Sequence, residues 1–192
     1  MAVGAAARFE GYYANPEASA EKIRGDDYWS GDLAYTDEDG WFWFAGRSAD
    51  WLRVDSENFA AAPVERILAR HPEVAVAAVY AVPDPRTGDR VMATLQVSGD
   101  PEAFDVPAFA GFLEEQTDLG TKWAPGLLRI TRDLPVTATR KVDKPALKRL
   151  QWSGADPVFE RTRDGYVPLT PERDAELRAE FAQHRRTALL RA

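Results

Sequence analysis

The spacing of apolar positions changes several times along the chain, and each change marks an element. The stretch "NPEASAEKIR" at residues 15–24 opens with an asparagine that can cap and a proline at a first helical position, followed by Glu, Ala and Lys. That is the signature of a short helix. Glycine and two aspartates then stop it. "YWSGDLAYTDEDGWFWFAGR" follows as two extended runs around "DEDG", where Asp39-Gly40 supplies the positive-φ turn that a hairpin favours. Beyond it, "APVERILARHPEV" sets Val64, Ile67 and Leu68 at helical spacing behind Pro63. "VAVAAVYAV" is then a nearly unbroken apolar run, the pattern of a buried strand. "PDPRTGD" turns the chain, "RVMATLQVS" alternates as a second strand, and "VPAFAGFLEEQT" gives a second helix behind Pro107. "LLRITRDL" reads as a third strand and "KPALKRL" as a short closing helix.

The order hairpin, helix, strand, strand, helix, strand, helix has connections too short for a doubly wound parallel sheet. It predicts an α+β unit over residues 47–150, with a short mixed or antiparallel sheet and flanking helices, preceded by a helix and hairpin in residues 1–46. Downstream, "SGADPVFERTRDGYVPLT" is polar, turn-rich and punctuated by two prolines, and "PERDAELRAEFAQHRRTALL" is strongly helical. Residues 151–192 therefore read as an appended extension with a helix.

Composition narrows the function classes. At 192 residues, with 45% apolar, 29% charged and 11% aromatic positions, the chain reads as folded and globular. Its formal charge of −7 argues against nucleic acid as a partner, since neutralising phosphodiesters takes clustered Lys and Arg. The basic clusters at 140–148 and at Arg185 and Arg186 are short. With no cysteine there is no disulfide, thiolate nucleophile or cysteine-bound metal, which fits a reducing compartment. No run approaches the roughly 18 to 20 apolar residues of a bilayer span, so the chain reads as cytoplasmic, a reading compatible with peripheral membrane contact.

The familiar catalytic patterns do not occur. His71 and His184 lie far apart in helical contexts without metal-ligand spacing to a partner, so no metal site is expected. There is no phosphate-cradling glycine loop followed by Lys and Ser/Thr, and no Gly-x-Ser-x-Gly elbow. A spaced set remains: "SGD" ending on Asp32, "GRSADWLRVDSENF" at residues 46–59, and "LPVTATRKVDKPALK" at residues 134–148. An aspartate beside glycine at a strand end can accept two hydroxyls of a ribose diol, although acidic turn residues are also routine. Arg47, across the same hairpin, offers a planar cationic fork to a phosphate or ribose oxygen. Lys141, in a Thr- and Ala-rich loop ahead of a helix, can bring an ammonium to developing negative charge, or can simply be solvated.

Taken in order, these three segments resemble the end of an adenylate-forming enzyme of the acyl-CoA synthetase, peptide-synthetase adenylation domain and luciferase superfamily. "SGDLAYTDEDGWFWFAGR" is similar to the family's ribose-binding "TGD" segment and its "GR" segment. The resemblance implies ATP or AMP binding by Asp32 and Arg47, and a hinge at Ala49 and Asp50. "DSENF" is similar to the loop lining the thiol's path, which implies that role for Ser56, Glu57 and Asn58, with Ser56 where glycine is usual. "PVTATRK" is similar to the late "P-x-T-x-x-G-K" motif, which implies that Lys141 is the adenylation lysine and sets Arg140 in place of glycine. "EVAVAAVYAVPDPRTGDRVMATLQV" also resembles the family's strand-turn-strand, and "DPVFERTRDGYVPLT" resembles the fatty-acid-transport-protein or very-long-chain acyl-CoA synthetase branch.

Such enzymes activate a carboxylic acid with Mg-ATP to an acyl-adenylate and pyrophosphate, then swing the small C-terminal lid domain so that coenzyme A attacks the adenylate. The resemblance thus implies fatty acid, ATP and CoA as partners and Mg2+ as the companion of ATP, none held tightly by this chain alone. The phosphate loop, metal-binding glutamate and acyl pocket belong to a large N-terminal domain of which only the last hairpin region is matched here. The chain is therefore expected to be an isolated C-terminal portion, inactive by itself. Against this stands a stand-alone non-catalytic interaction module. The two differ in whether the "YYA" and "WFWF" aromatics lie in solvent or are covered.

Overall fold

A computed structural model of the chain describes residues 2–3, 9–47 and 50–190, in two compact units, Met1–Trp51 and Leu52–Ala192. In the first unit, β1 (Ala2–Val3) and β2 (Ile23–Arg24) pair antiparallel with the two edges of β3 (Asp27–Trp29). Helix α1 (Pro16–Lys22) starts where the sequence puts it, because the Asn15 carboxamide oxygen accepts the Ala18 N–H at 3.0 Å. Strands β4 (Asp32–Thr36) and β5 (Phe42–Arg47) form the expected hairpin. Its turn is organised by Asp37, whose carboxylate accepts the backbone N–H groups of Asp39 and Trp41 and the Trp43 indole N–H at 2.6 Å. The indole hydrogen bond, with those backbone donors behind it, holds that carboxyl below its ordinary range. Gly40, at φ 83°, makes the reversal that a side chain would resist.

From the last residue of the first unit into the second, β6 (Trp51–Val54) pairs with β7 (Glu57–Ala60) as a small hairpin leading into α2 (Ala61–Leu68). Then come β8 (Val74–Pro83), β9 (Asp89–Val97), α3 (Val106–Glu114), β10 (Leu127–Thr131) and α4 (Lys144–Leu150), in the predicted order. The chain continues through β11 (Val158–Thr162), β12 (Gly165–Pro168) and α5 (Pro171–Gln183). Five strands make one mixed sheet in the order β12-β11-β10-β9-β8; only β9 and β10 run parallel, and α3 lies in the crossover between them.

Both faces of this sheet are covered, which explains the nearly unbroken apolar run of β8. On one face Val79, Ala93, Leu95, Leu128 and Ile130 pack with Val64 and Leu68 of α2 and Phe109 and Leu113 of α3. On the other, Tyr80, Met92 and Leu127 pack with Leu147 of α4 and with Trp152, Leu177 and Phe181.

The stretch after Leu150 is therefore no appendage. Its strands complete the sheet, and its helix closes one core. The polar composition misleads because a buried carboxylate stands in β11: Glu160, 6% exposed, is met by Arg90 of β9 at 3.0 Å and Arg173 of α5 at 2.7 Å. Burial pushes that carboxyl up, but the Arg173 hydrogen bond and the Arg90 charge outweigh it and leave it below the usual range.

Candidate functional site

The side chains singled out by sequence fall into three local structures. Asp32 opens β4, and Arg47 closes β5 as its direct cross-strand partner, so the hairpin register brings these two positions together. The approach to Asp32 is bent by Gly31 at φ 83°, and its N–H is taken by the Ser30 hydroxyl at 3.1 Å. Of the hinge pair, Ala49 lies outside the described residues, while Asp50 is half-buried just ahead of β6.

The second structure is the turn joining β6 to β7. Asp55 and Ser56 both adopt left-handed backbone, at φ 45° and 68°, the form a two-residue hairpin turn takes when its twist matches the strands. Ser56, Glu57 and Asn58 are exposed along it. From outside the hairpin, the Trp123 indole N–H donates to Glu57 Oε1 at 2.9 Å, and Lys122 Nζ donates to the Asp55 carbonyl at 3.1 Å.

The third is the loop ahead of α4. Val136 and Val142 form an antiparallel bridge, and between them the Thr137 N–H donates to the Lys141 carbonyl at 2.7 Å. The Thr137 hydroxyl accepts the Lys141 N–H at 3.2 Å. Arg140 turns the chain at φ 61°, leaving Lys141 exposed. Behind the loop, Asp143 caps α4 by accepting the Ala146 N–H at 2.9 Å. Lys144, at the first helical position, pairs with Glu65 of α2 at 2.8 Å, and the same Glu65 carboxylate accepts the Val79 N–H of β8 at 2.8 Å. An edge strand, a helix and the lysine loop are thus joined at one carboxylate.

Lys141 thus presents an ammonium on a short, doubly anchored turn. Such a compact cation with three donors is suited to an oxyanion. Glu65 and Trp123 were not singled out from the sequence. Glu65 has no local signal beyond its place off the apolar stripe of α2, whereas a tryptophan between two glycines in the turn-like "GTKWAPG" offered one. Of the histidines, His71 packs edge-on against Phe104, Phe109 and Phe112 with ring centroids 5.1–5.7 Å apart and accepts the Glu73 N–H at its Nδ1 at 3.4 Å, and His184 ends α5. Among the described residues no group of three metal-ligating side chains gathers, and no helix is long and apolar enough to cross a membrane.

Ser56 and Arg140 carry a conformational cost, since a left-handed residue with a Cβ is strained by about 1–2 kcal/mol, part of which glycine gives back in the unfolded chain. Arg140→Gly is accordingly expected to stabilise the second unit by about 0.5–1 kcal/mol. The measurement is the denaturant midpoint at constant slope; a lower midpoint would show that the arginine side chain holds the loop.

Residues 63–141 match the AMP-binding enzyme C-terminal domain family. The chain is 52% identical over 188 residues to the steroid-22-oyl-CoA synthetase of Rhodococcus jostii, covering 96% of the chain and 34% of the relative. It is 49% identical over 151 residues to the medium/long-chain-fatty-acid–CoA ligase FadD17 of Mycobacterium tuberculosis, covering 79% of the chain and 30% of the relative. The chain thus spans about a third of the length of these curated relatives. Among solved structures it is similar to ATP-bound MatB from Rhodopseudomonas palustris, with a TM-score of 0.63 and 26% identity over 76% of this chain and 28% of that one. Sequence and fold agree: this chain belongs to the adenylate-forming acyl-CoA synthetase superfamily and corresponds to its C-terminal part, with the AMP-binding enzyme C-terminal domain at residues 63–141.

Proposed function

We propose that the chain serves as the C-terminal part of an ATP-dependent CoA ligase for long or very-long-chain fatty acids, of the fatty-acid-transport-protein-like branch, working in the cytoplasm. Asp32 takes the ribose diol and Arg47 the nucleotide, and the chain swivels at Ala49 and Asp50 between two poses. In the first, the carboxylate of the acid attacks the α-phosphorus of ATP, pyrophosphate leaves, and the Lys141 ammonium stabilises charge on the carboxylate and α-phosphate. In the second, the CoA sulfur passes the turn of Ser56, Glu57 and Asn58, attacks the acyl carbonyl and expels AMP. Mg2+ enters with ATP, and no step is placed on a metal held by this chain.

The observation that carries this reading is the backbone at Ser56 and Arg140. Both stand where the resembled motifs have glycine, and both keep the left-handed conformation that glycine would supply. The thiol-path turn and the lysine loop therefore hold their shape although the glycines are gone. A stand-alone interaction module would cover its aromatics, yet Tyr13, Trp41, Phe42 and Phe44 are 101%, 70%, 70% and 68% exposed. Such a surface favours the ligase reading, in which the rest of the large domain covers it.

The test replaces the matching C-terminal part of the Mycobacterium tuberculosis ligase FadD17 with this chain and supplies medium- and long-chain fatty acids, since the acyl pocket stays with the parent's large domain. ATP–pyrophosphate exchange and acyl-CoA formation are expected from the swapped enzyme, and neither from this chain alone. Exchange by the chain alone, or a swapped enzyme that folds and makes neither product, would remove the proposal.

A further inference from the structure

We propose that Trp123 is a positioning residue for the thiol-path turn, an assignment that rests on the ligase reading above. A two-residue turn with two left-handed side-chain-bearing residues is a strained element, and it keeps one shape only if its surroundings hold it. Trp123 does so along β7, at two positions of that strand. Its indole N–H donates to Glu57 Oε1 at 2.9 Å, at the start of β7. Its ring stacks on Phe59 with centroids 5.4 Å apart and planes 22° from parallel, and Phe59 is itself buried in the first core. Its neighbour Lys122 adds the 3.1 Å hydrogen bond to the Asp55 carbonyl. The turn is thereby gripped at 55, 57 and 59 by one short segment.

That segment is anchored in turn. The Trp123 N–H donates to the Gly120 carbonyl at 2.8 Å, and the indole lies so close over Gly120 that a Cβ there would stand 2.9 Å from the ring. Three residues on, the Gly126 N–H donates to the Val91 carbonyl at 2.8 Å, and the Gly126 carbonyl accepts the Arg90 guanidinium at 2.8 Å. Arg90 is the same side chain that pairs with Glu160, which Arg173 of α5 also holds. The turn is thus tied through residues 120–126 to β9, β11 and α5. A turn that must deliver a thiol to an acyl carbonyl gains from such support, because small misplacements of reacting groups cost large factors in rate.

The test uses Trp123→Phe, which keeps the ring and removes the donor, Trp123→Ala, which removes both, and Glu57→Gln, which keeps an acceptor oxygen. In the chain alone, amide hydrogen exchange at residues 56–58 is expected to accelerate about tenfold in Trp123→Ala, less in Trp123→Phe, and little in Glu57→Gln, with β8–β10 unchanged. In the swapped enzyme, transfer of acyl-adenylate to saturating CoA is expected to fall about tenfold in Trp123→Ala while ATP–pyrophosphate exchange holds within about twofold. Unchanged exchange at 56–58, or parallel loss of both half-reactions in Trp123→Phe, overturns the proposal. A wild-type swapped enzyme that makes no acyl-CoA where its parent does would instead overturn the ligase reading, and amide exchange would still show whether Trp123 holds the turn.

Discussion

Lys141→Ala in the swapped enzyme is expected to lower ATP–pyrophosphate exchange by about two to three orders of magnitude, the range seen when one preorganised donor to a developing oxyanion is removed. The reasoning is local. The loop of residues 137–141 is closed by the Thr137 N–H to Lys141 carbonyl bond and the Val136–Val142 bridge, and it runs directly into α4, which Asp143 caps and Lys144 ties to Glu65. The ammonium is thus carried on a short anchored stem at an exposed position. Acyl transfer from supplied acyl-adenylate to CoA is expected to stay within about twofold, because an interaction made only in the first transition state can accelerate only that step. Lys141→Arg keeps the charge but replaces a compact ammonium by a broader planar fork, so it is expected to recover only part of the loss. Equal falls in both half-reactions, or full exchange after Lys141→Ala, would take the lysine out of its assigned role.

What could be read from the sequence follows the range of the forces involved. The β4–β5 hairpin and the run from α2 to α4 are set by local spacing of apolar residues and by turn chemistry at Asp37 to Gly40 and at the α4 cap, so pattern alone finds them. Lys141 and Ser56 stand out only through motif order, because an exposed lysine or serine has no distinguishing period. The long-range partners stayed hidden. Glu160 looks like an ordinary polar residue until Arg90, seventy positions away in sequence, is seen beside it. Glu65 and Lys144, or Trp123 and Glu57, are likewise joined only once the sheet has formed. A strand that buries its charge in remote ion pairs carries no apolar alternation, which is why β11 reads as turn-rich extension from sequence alone.

The integration of that tail leads to a large stability effect: Phe181→Ala is expected to destabilise the second unit by about 3–5 kcal/mol, the range for truncating a large buried ring. Phe181 is 0% exposed, with its ring centroid 6.0 Å from that of Trp152, and the pair packs with Leu177 and Leu147 against Tyr80, Met92 and Leu127. Trp152 is fixed at its other end by the 2.7 Å bond from its indole N–H to Asp174 of α5. A loss of that size is a substantial fraction of the 5–15 kcal/mol typical of whole domains. Denaturant unfolding followed by tryptophan fluorescence, with amide exchange resolved on β8, β9 and β10, measures it. If residues 151–192 were separable, protection in those strands would survive the substitution unchanged. If they complete the fold, protection falls together in all three. Leu147 of α4 belongs to the same core, only six positions after Lys141, so the cavity left by Phe181 also loosens the helix on which the lysine loop stands. Phe181→Ala is therefore expected to reduce adenylation in the swapped enzyme at temperatures where the fold still persists, without removing any group that touches substrate.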